Sequence, residues 1–204
     1  MPAEKKLLGN SIAREQWLLR EIRIVAMLRL SGMTEKEVTE RVKAENLFQY
    51  PTERTLSKIS RACNKRIDAL ESEDLVRIIA DGMPEAAAQA NLYAIMCLYP
   101  LARHFMLNEI GARYSQLNYS FSDMDMNAYF TKLESEYDNF ATASESTVAK
   151  LKQVLRKFLV EAGYLKSVKS SELVSVFLDI DVRDAIVAKG DIEALRAFNC
   201  QEVF

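Results

Sequence analysis

Residues 52–70, TERTLSKISRACNKRIDAL, decide how the chain is read. Arg54, Lys58, Arg61 and Lys65 follow at intervals of four, three and four, which on a helix places them within about 60° of arc. Leu56, Ile59, Cys63, Ile67 and Leu70 fall on the opposite side, so one face suits a core and the other suits water or an anion. Thr52 stands where an N-cap belongs. Thr55 and Ser57 occupy the first turns, where such a helix reaches phosphates or base edges. Stacked cations repel one another by roughly a few tenths of a kcal/mol per pair, a poor choice for stability alone. A phosphate backbone relieves that repulsion and releases counterions, so the stripe predicts nucleic-acid contact. The plain alternative is an ordinary solvated face, since Lys and Arg are commonly exposed.

Working upstream, 13–30 reads as a first long helix stopped by Ser31-Gly32. Thr34 opens the next, with Glu37 three residues on in capping-box spacing. Val38, Val42 and Leu47 supply its apolar side, and 46–51 carries the turn into the helix that Thr52 caps. Three helices joined by short turns predict a helix-turn-helix-like module.

Downstream, Pro84 opens an apolar helix through Leu98. Pro100 is expected to kink or interrupt it before 101–111 continues. The run 86–102 carries no charge, but its 17 residues include Gln89, Asn91 and Pro100. It falls short of the roughly 20 apolar residues a spanning helix needs and reads as a buried core helix. A loop over 118–125 precedes a helix over 126–136, with Ser122 as its cap. Residues 140–146 are a small polar connection, and Thr142 or Ser146 would cap a helix over 147–162 that Gly163 ends. Residues 164–171, with Lys166 and Lys169 among serines, fit either a β-hairpin wing or a plain loop; 173–178 fits strand or helix. Two short helices, 181–189 and 191–198, split at Gly190, complete the chain.

The 204 residues are 49% apolar with only six Gly and four Pro, which argues for a real core built from long helices. The net charge of −2 hides an uneven distribution. Residues 1–66 sum to +6, 67–147 to −9 and 148–204 to +1, with six basic residues against one acidic over 150–169. We therefore expect a mainly α protein with helix-turn-helix or winged-helix-like modules at both ends of a central helical core. The divisions are 1–82, 83–141 (acidic) and 142–204. On the helix over 147–162, Val148, Leu151, Leu155, Phe158, Leu159 and Ala162 form the apolar side. Lys150, Lys152, Arg156 and Lys157 spread around the rest, and Lys150 and Lys157 are taken as a secondary contact set.

Catalytic chemistry finds little support. His104 is the sole histidine, sits in an apolar helical context and has no nucleophile motif to serve. Asp123 and Asp125 form a D-x-D without further ligands and read as helix capping rather than a metal site. The glycines are isolated, so there is no phosphate loop. Cys63, Cys97 and Cys200 are scattered and odd in number, against disulfides or structural zinc and in favour of a reducing cytoplasm. No signal-peptide core stands in 1–10. The expectation is a non-enzyme without cofactor or metal. Met124, Met126, Tyr129 and Phe130 pack as core or offer a surface to a protein partner.

The order of motifs resembles the BrxA family of bacteriophage-exclusion (BREX) defence systems. The resemblance runs from about Ser11 to Leu165. It is carried by REIRIVA (20–26), ENLFQ (45–49) leading to TERT (52–55), LYAIMCLYPL (92–101), Tyr129-Phe130 with Lys132, STVAKLKQVL (146–155) and EAGYL (161–165). It implies a cytoplasmic, mainly helical, non-enzymatic component of a phage-defence operon that binds double-stranded DNA, with helix-turn-helix-like modules toward both ends; the charge-free run over 86–102, too short to span, stands against a membrane protein. The family is also similar in outline to the helical antitermination factor NusB, which keeps RNA binding as an alternative. Partner proteins from the same defence system are a second alternative.

Overall fold

The computed structural model describes Leu7, residues 12–14 and residues 16–200; apart from Leu7, the reading of 1–10 lies outside them. In chain order a 3₁₀ turn (Ile12–Arg14) precedes α1 (Leu19–Leu30), α2 (Glu35–Glu45), α3 (Glu53–Leu70), α4 (Glu73–Asp81) and α5 (Pro84–Leu98). Then come α6 (Pro100–Phe105), a π-helical segment (Met106–Gly111), α7 (Ala112–Ser115), α8 (Asp123–Glu136) and α9 (Asp138–Ala141). α10 (Glu145–Glu161), α11 (Ile180–Ala188) and a second 3₁₀ turn (Ile192–Phe198) follow. The protein is mainly helical. Among the described residues there is no strand, only an isolated antiparallel bridge between Ser120 and Glu172.

The chain forms two compact units, each assembled from separate stretches: Leu18–Leu98 with Leu178–Ile192, and the stretch ending at Trp17 with Tyr99–Phe177 and Glu193 onward. Residues 140–146 lie inside the second of these. α5 ends because Tyr99 is extended (φ −118°, ψ 104°), and Pro100 starts α6 at a position where its missing N–H costs nothing.

In the first unit, α5 is the central element, with Ala87, Ala90, Asn91, Tyr93, Ala94, Ile95 and Met96 all buried, as its charge-free sequence demands. Among the described residues no helix is long and apolar enough to cross a membrane. α1 begins later than its periodicity suggests: Leu18 takes a left-handed conformation (φ 54°) immediately before it. The residues ahead of α1 serve the other unit. There the Trp17 ring packs against Phe158 of α10, with centroids 6.0 Å apart, so the helical repeat stops short of Ala13. Thr34 and Glu37 form the complete capping box on α2, and Gly32 (φ 91°) ends the preceding turn.

In the second unit, α10 runs Glu145–Glu161, and its cap is Ser144 rather than Thr142 or Ser146. The Ser144 hydroxyl accepts the Thr147 N–H at 3.2 Å. Ser144→Ala is therefore expected to lower stability by about 1 kcal/mol, while Ser146→Ala, whose hydroxyl is not the cap, changes it by less than about 0.5 kcal/mol. Chemical denaturation of the three proteins measures the difference.

Residues 164–171 do not pair as a hairpin. They form turns held from α10, because Arg156 reaches across to their carbonyl oxygens and takes the place of ladder partners. Residues 173–178 are irregular, neither strand nor helix. Gly111 sits so close to the last 3₁₀ turn that a Cβ there would lie 2.8 Å from the Arg196 carbonyl oxygen; only glycine fits.

Candidate nucleic-acid interface

The orientation of α3 is fixed by what its inner side touches. Leu56, Ile59, Cys63, Ile67 and Leu70 are buried, as are Ser60, Asn64 and Arg66 beside them. The polar members form a connected chain. Thr39 of α2 shares a hydrogen bond with Ser60 (2.9 Å), and the Asn64 amide donates to the Ser60 carbonyl oxygen (3.0 Å). Arg29 of α1 donates to the Asn64 side-chain oxygen (3.0 Å) and to Asp68 (2.8 Å). A buried, satisfied network specifies one rotation of a helix where an all-apolar face tolerates several. Arg66 is enclosed as well, donating to Asn91 of α5 at 3.4 Å.

With that side fixed, Arg54, Lys58, Arg61 and Lys65 are all exposed. Among the described residues none of the four makes an ion pair or a side-chain hydrogen bond. Several other cations of this unit are matched: Arg29 with Asp68, Arg41 with Glu45, Lys43 with Glu40 and Glu53, Arg77 with Glu73. From Arg54 to Lys65 the stripe extends about 16 Å along the helix axis. At its N-terminal end the Thr52 hydroxyl accepts the Thr55 N–H (3.3 Å) and bonds the Thr55 hydroxyl (2.9 Å), so both threonines complete the cap. Thr52 is exposed, while Thr55 and Ser57 are half-buried at the margin of the stripe. The connection from α2 is shaped by Asn46 (φ 47°) and Gln49 (φ 60°). The Asn46 side chain accepts the Tyr50 N–H at 3.1 Å, and Phe48 is buried beneath the turn.

On α10 the structure separates cations that the sequence leaves mixed. Arg156 is buried: its Nε donates to the Val168 carbonyl oxygen (2.6 Å) and a terminal nitrogen to that of Ser170 (2.5 Å). Its other terminal nitrogen stands 2.9 Å from the Asp123 carboxylate, and its guanidinium lies 5.7 Å from the centre of the Phe121 ring. Lys152 donates to Asn127 (2.9 Å) and stands over the Phe130 ring. Lys150 and Lys157 point outward, Lys150 meeting Gln153 at 2.9 Å. Lys166 and Lys169 in the following turns are exposed too.

Asp125 completes the capping box of α8: the Ser122 hydroxyl and N–H both donate to its carboxylate (2.6 and 2.7 Å), and Arg113 adds a contact at 2.9 Å. These donors hold its pKa below the ordinary aspartate value, the Ser122 hydroxyl contributing most. The joint's stability is thus present above the unfolded pKa and is lost as pH falls through the lowered one. His104 shares a 2.8 Å hydrogen bond with the Tyr129 hydroxyl, whose pKa is raised mainly by burial. Met126, Tyr129 and Phe130 are core residues, and only Met124 is exposed, so the four do not make a docking surface. None of Cys63, Cys97 and Cys200 is in a disulfide. Among the described residues no cluster of three or more His, Cys, Asp or Glu side chains could hold a metal.

Comparison with known proteins adds the following. A family model described as BrxA matches residues 9–190. A BREX protein BrxA of Bacillus cereus (strain H3081.97) is 33% identical over 190 residues, covering 92% of this chain and 94% of that protein. A BREX protein BrxA of Escherichia coli O9:H4 (strain HS) is 24% identical over 159 residues, 78% of this chain and 74% of that one. The crystal structure of an uncharacterized protein from Magnetospirillum magneticum superposes with a TM-score of 0.76 at 22% identity, covering 92% of this chain and 95% of its own, a likeness of fold alone.

Proposed function

Because the chain belongs to the BrxA family of bacteriophage-exclusion (BREX) systems, we propose that it is a non-enzymatic accessory protein of phage defence that binds double-stranded DNA. One observation carries this reading: Arg54, Lys58, Arg61 and Lys65 are exposed on one stripe of a rigidly held helix with no carboxylate paired to any of them. A phosphate backbone supplies the missing counter-charge. α2, its turn and α3 act as a helix-turn-helix-like module with α3 toward the duplex, and Thr52, Thr55 and Ser57 lie at its leading end. Lys150 and Lys157, with Lys166 and Lys169 in place of a wing, form the secondary set. Binding is mainly to phosphates, so sequence discrimination is small. As a BREX component the protein works beside other proteins of that system.

Fluorescence anisotropy across salt, with duplex DNA, single-stranded RNA and duplex RNA of matched sequence, tests this directly. The expected result is duplex-DNA affinity that falls steeply with salt and varies little with sequence. Equal or tighter binding to RNA would transfer the reading to an RNA-binding helical factor, because A-form grooves present a different surface.

A further inference from the structure

Cys97 lies one residue before the end of α5 and is half-buried. Lys189, the residue following α11, brings its Nζ to 3.8 Å from the Cys97 Sγ. The same ammonium donates to the Ala69 carbonyl oxygen at 3.2 Å and stands 5.5 Å from the centre of the Tyr93 ring. The Tyr93 hydroxyl in turn donates to Asp191 at 2.8 Å, so the nearby carboxylate is engaged by a phenol. Burial, then Cys97, then Asp191 push the Tyr93 pKa up, which keeps that phenol protonated. These groups belong to one unit and converge from the end of α3, from α5 and from the residues after α11.

An ammonium against a sulfur favours the thiolate, and the thiolate is the nucleophile. It also offsets the C-terminal end of the α5 dipole, which alone disfavours negative charge there. The other two thiols provide internal controls. Cys63 is buried, whereas Cys200 is half-buried like Cys97 and, among the described residues, has no cation against it.

We propose that Cys97 is a hydroperoxide-reactive site whose thiolate is held by Lys189. The sulfur attacks one peroxide oxygen, forming an S–O bond as the O–O bond breaks. The departing hydroxide takes a proton from the Lys189 ammonium or from solvent and leaves as water. Sulfur is oxidised by two electrons to the sulfenic acid, and the peroxide is reduced by the same two.

The full chain is treated with hydrogen peroxide in the presence of dimedone, and labelling of each cysteine is followed by peptide mass spectrometry. More thiolate speeds the attack, and the lower intrinsic nucleophilicity of a stabilised thiolate returns part of that gain. Cys97 is expected to label at least about threefold faster than Cys200. Lys189→Met should erase the difference and Lys189→Arg should keep most of it. Equal rates at Cys97 and Cys200 in the unsubstituted protein would overturn the proposal without reference to any variant. An unchanged Cys97 rate in a folded Lys189→Met protein would do the same. Neither outcome bears on DNA binding.

Discussion

The quadruple variant Arg54→Ala, Lys58→Ala, Arg61→Ala, Lys65→Ala is expected to lose most of its affinity for duplex DNA while remaining fully folded. Each phosphate contact contributes about 0.9 to the slope of log K against log salt, so four contacts account for a slope of about 3.6. Over a fourfold rise in salt that slope is a change of about a hundredfold in affinity, and the variant should show a correspondingly flatter salt dependence. The fold should not suffer, because all four side chains are exposed and without carboxylate partners. Removing three like-charged neighbour contacts stabilises the helix slightly, by roughly a few tenths of a kcal/mol each. Anisotropy and thermal melting on the same samples separate the two effects. Unchanged affinity and salt slope in the variant would show that the stripe is only a solvated face.

Arg156→Ala is the opposite experiment: a cation on a basic helix whose loss should cost stability. Its guanidinium satisfies two carbonyl oxygens of the 164–171 turns, pairs with Asp123 and lies along Phe121, while its side chain is only 11% exposed. Charge-assisted hydrogen bonds of this kind contribute about 1.5–3 kcal/mol each. Allowing for water that enters to replace them, the loss should be about 3 kcal/mol. Lys157→Ala, one residue along and exposed, should change stability by less than about 0.5 kcal/mol. Urea denaturation of both variants is the measurement, and equal stabilities would contradict the role assigned to Arg156. The turns that bear Lys166 and Lys169 should also become more susceptible to limited proteolysis in Arg156→Ala.

The two experiments show where sequence reading stops. On α3 the basic residues share one narrow arc and the apolar residues share the opposite one, so helical geometry alone separates them. On α10 four cations are scattered around the wheel, and periodicity cannot tell a phosphate ligand from a bridge to a loop. Lys152 is held at the surface and Arg156 inside the fold because Asn127, Val168 and Ser170 arrive from other elements, a fact without local signature. The Met124 to Phe130 segment shows the same limit: its apolar residues suit a core or a docking face equally, and neighbouring rings such as Phe105 and Phe140 place Tyr129 and Phe130 in the core while Met124 stays exposed.

Local chemistry was sufficient for the caps at Thr34, Thr52 and Ser122, for the break before Pro100, for the burial of the charge-free run and for the two faces of α3. Each depends on residues within about one or two helical turns of one another. Tertiary structure alone decided that α1 begins only at Leu19, that residues distant in the chain combine into two units, and that Lys189 meets Cys97 across 92 positions. It also decided that no carboxylate from another element reaches the α3 stripe, whereas Asp68 of the same helix meets Arg29 of α1. The physical reason is the same throughout. A helix face and a cap are short-range arrangements written in consecutive residues, whereas a partner for a charge, a ring or a thiol is supplied by whichever element packs alongside.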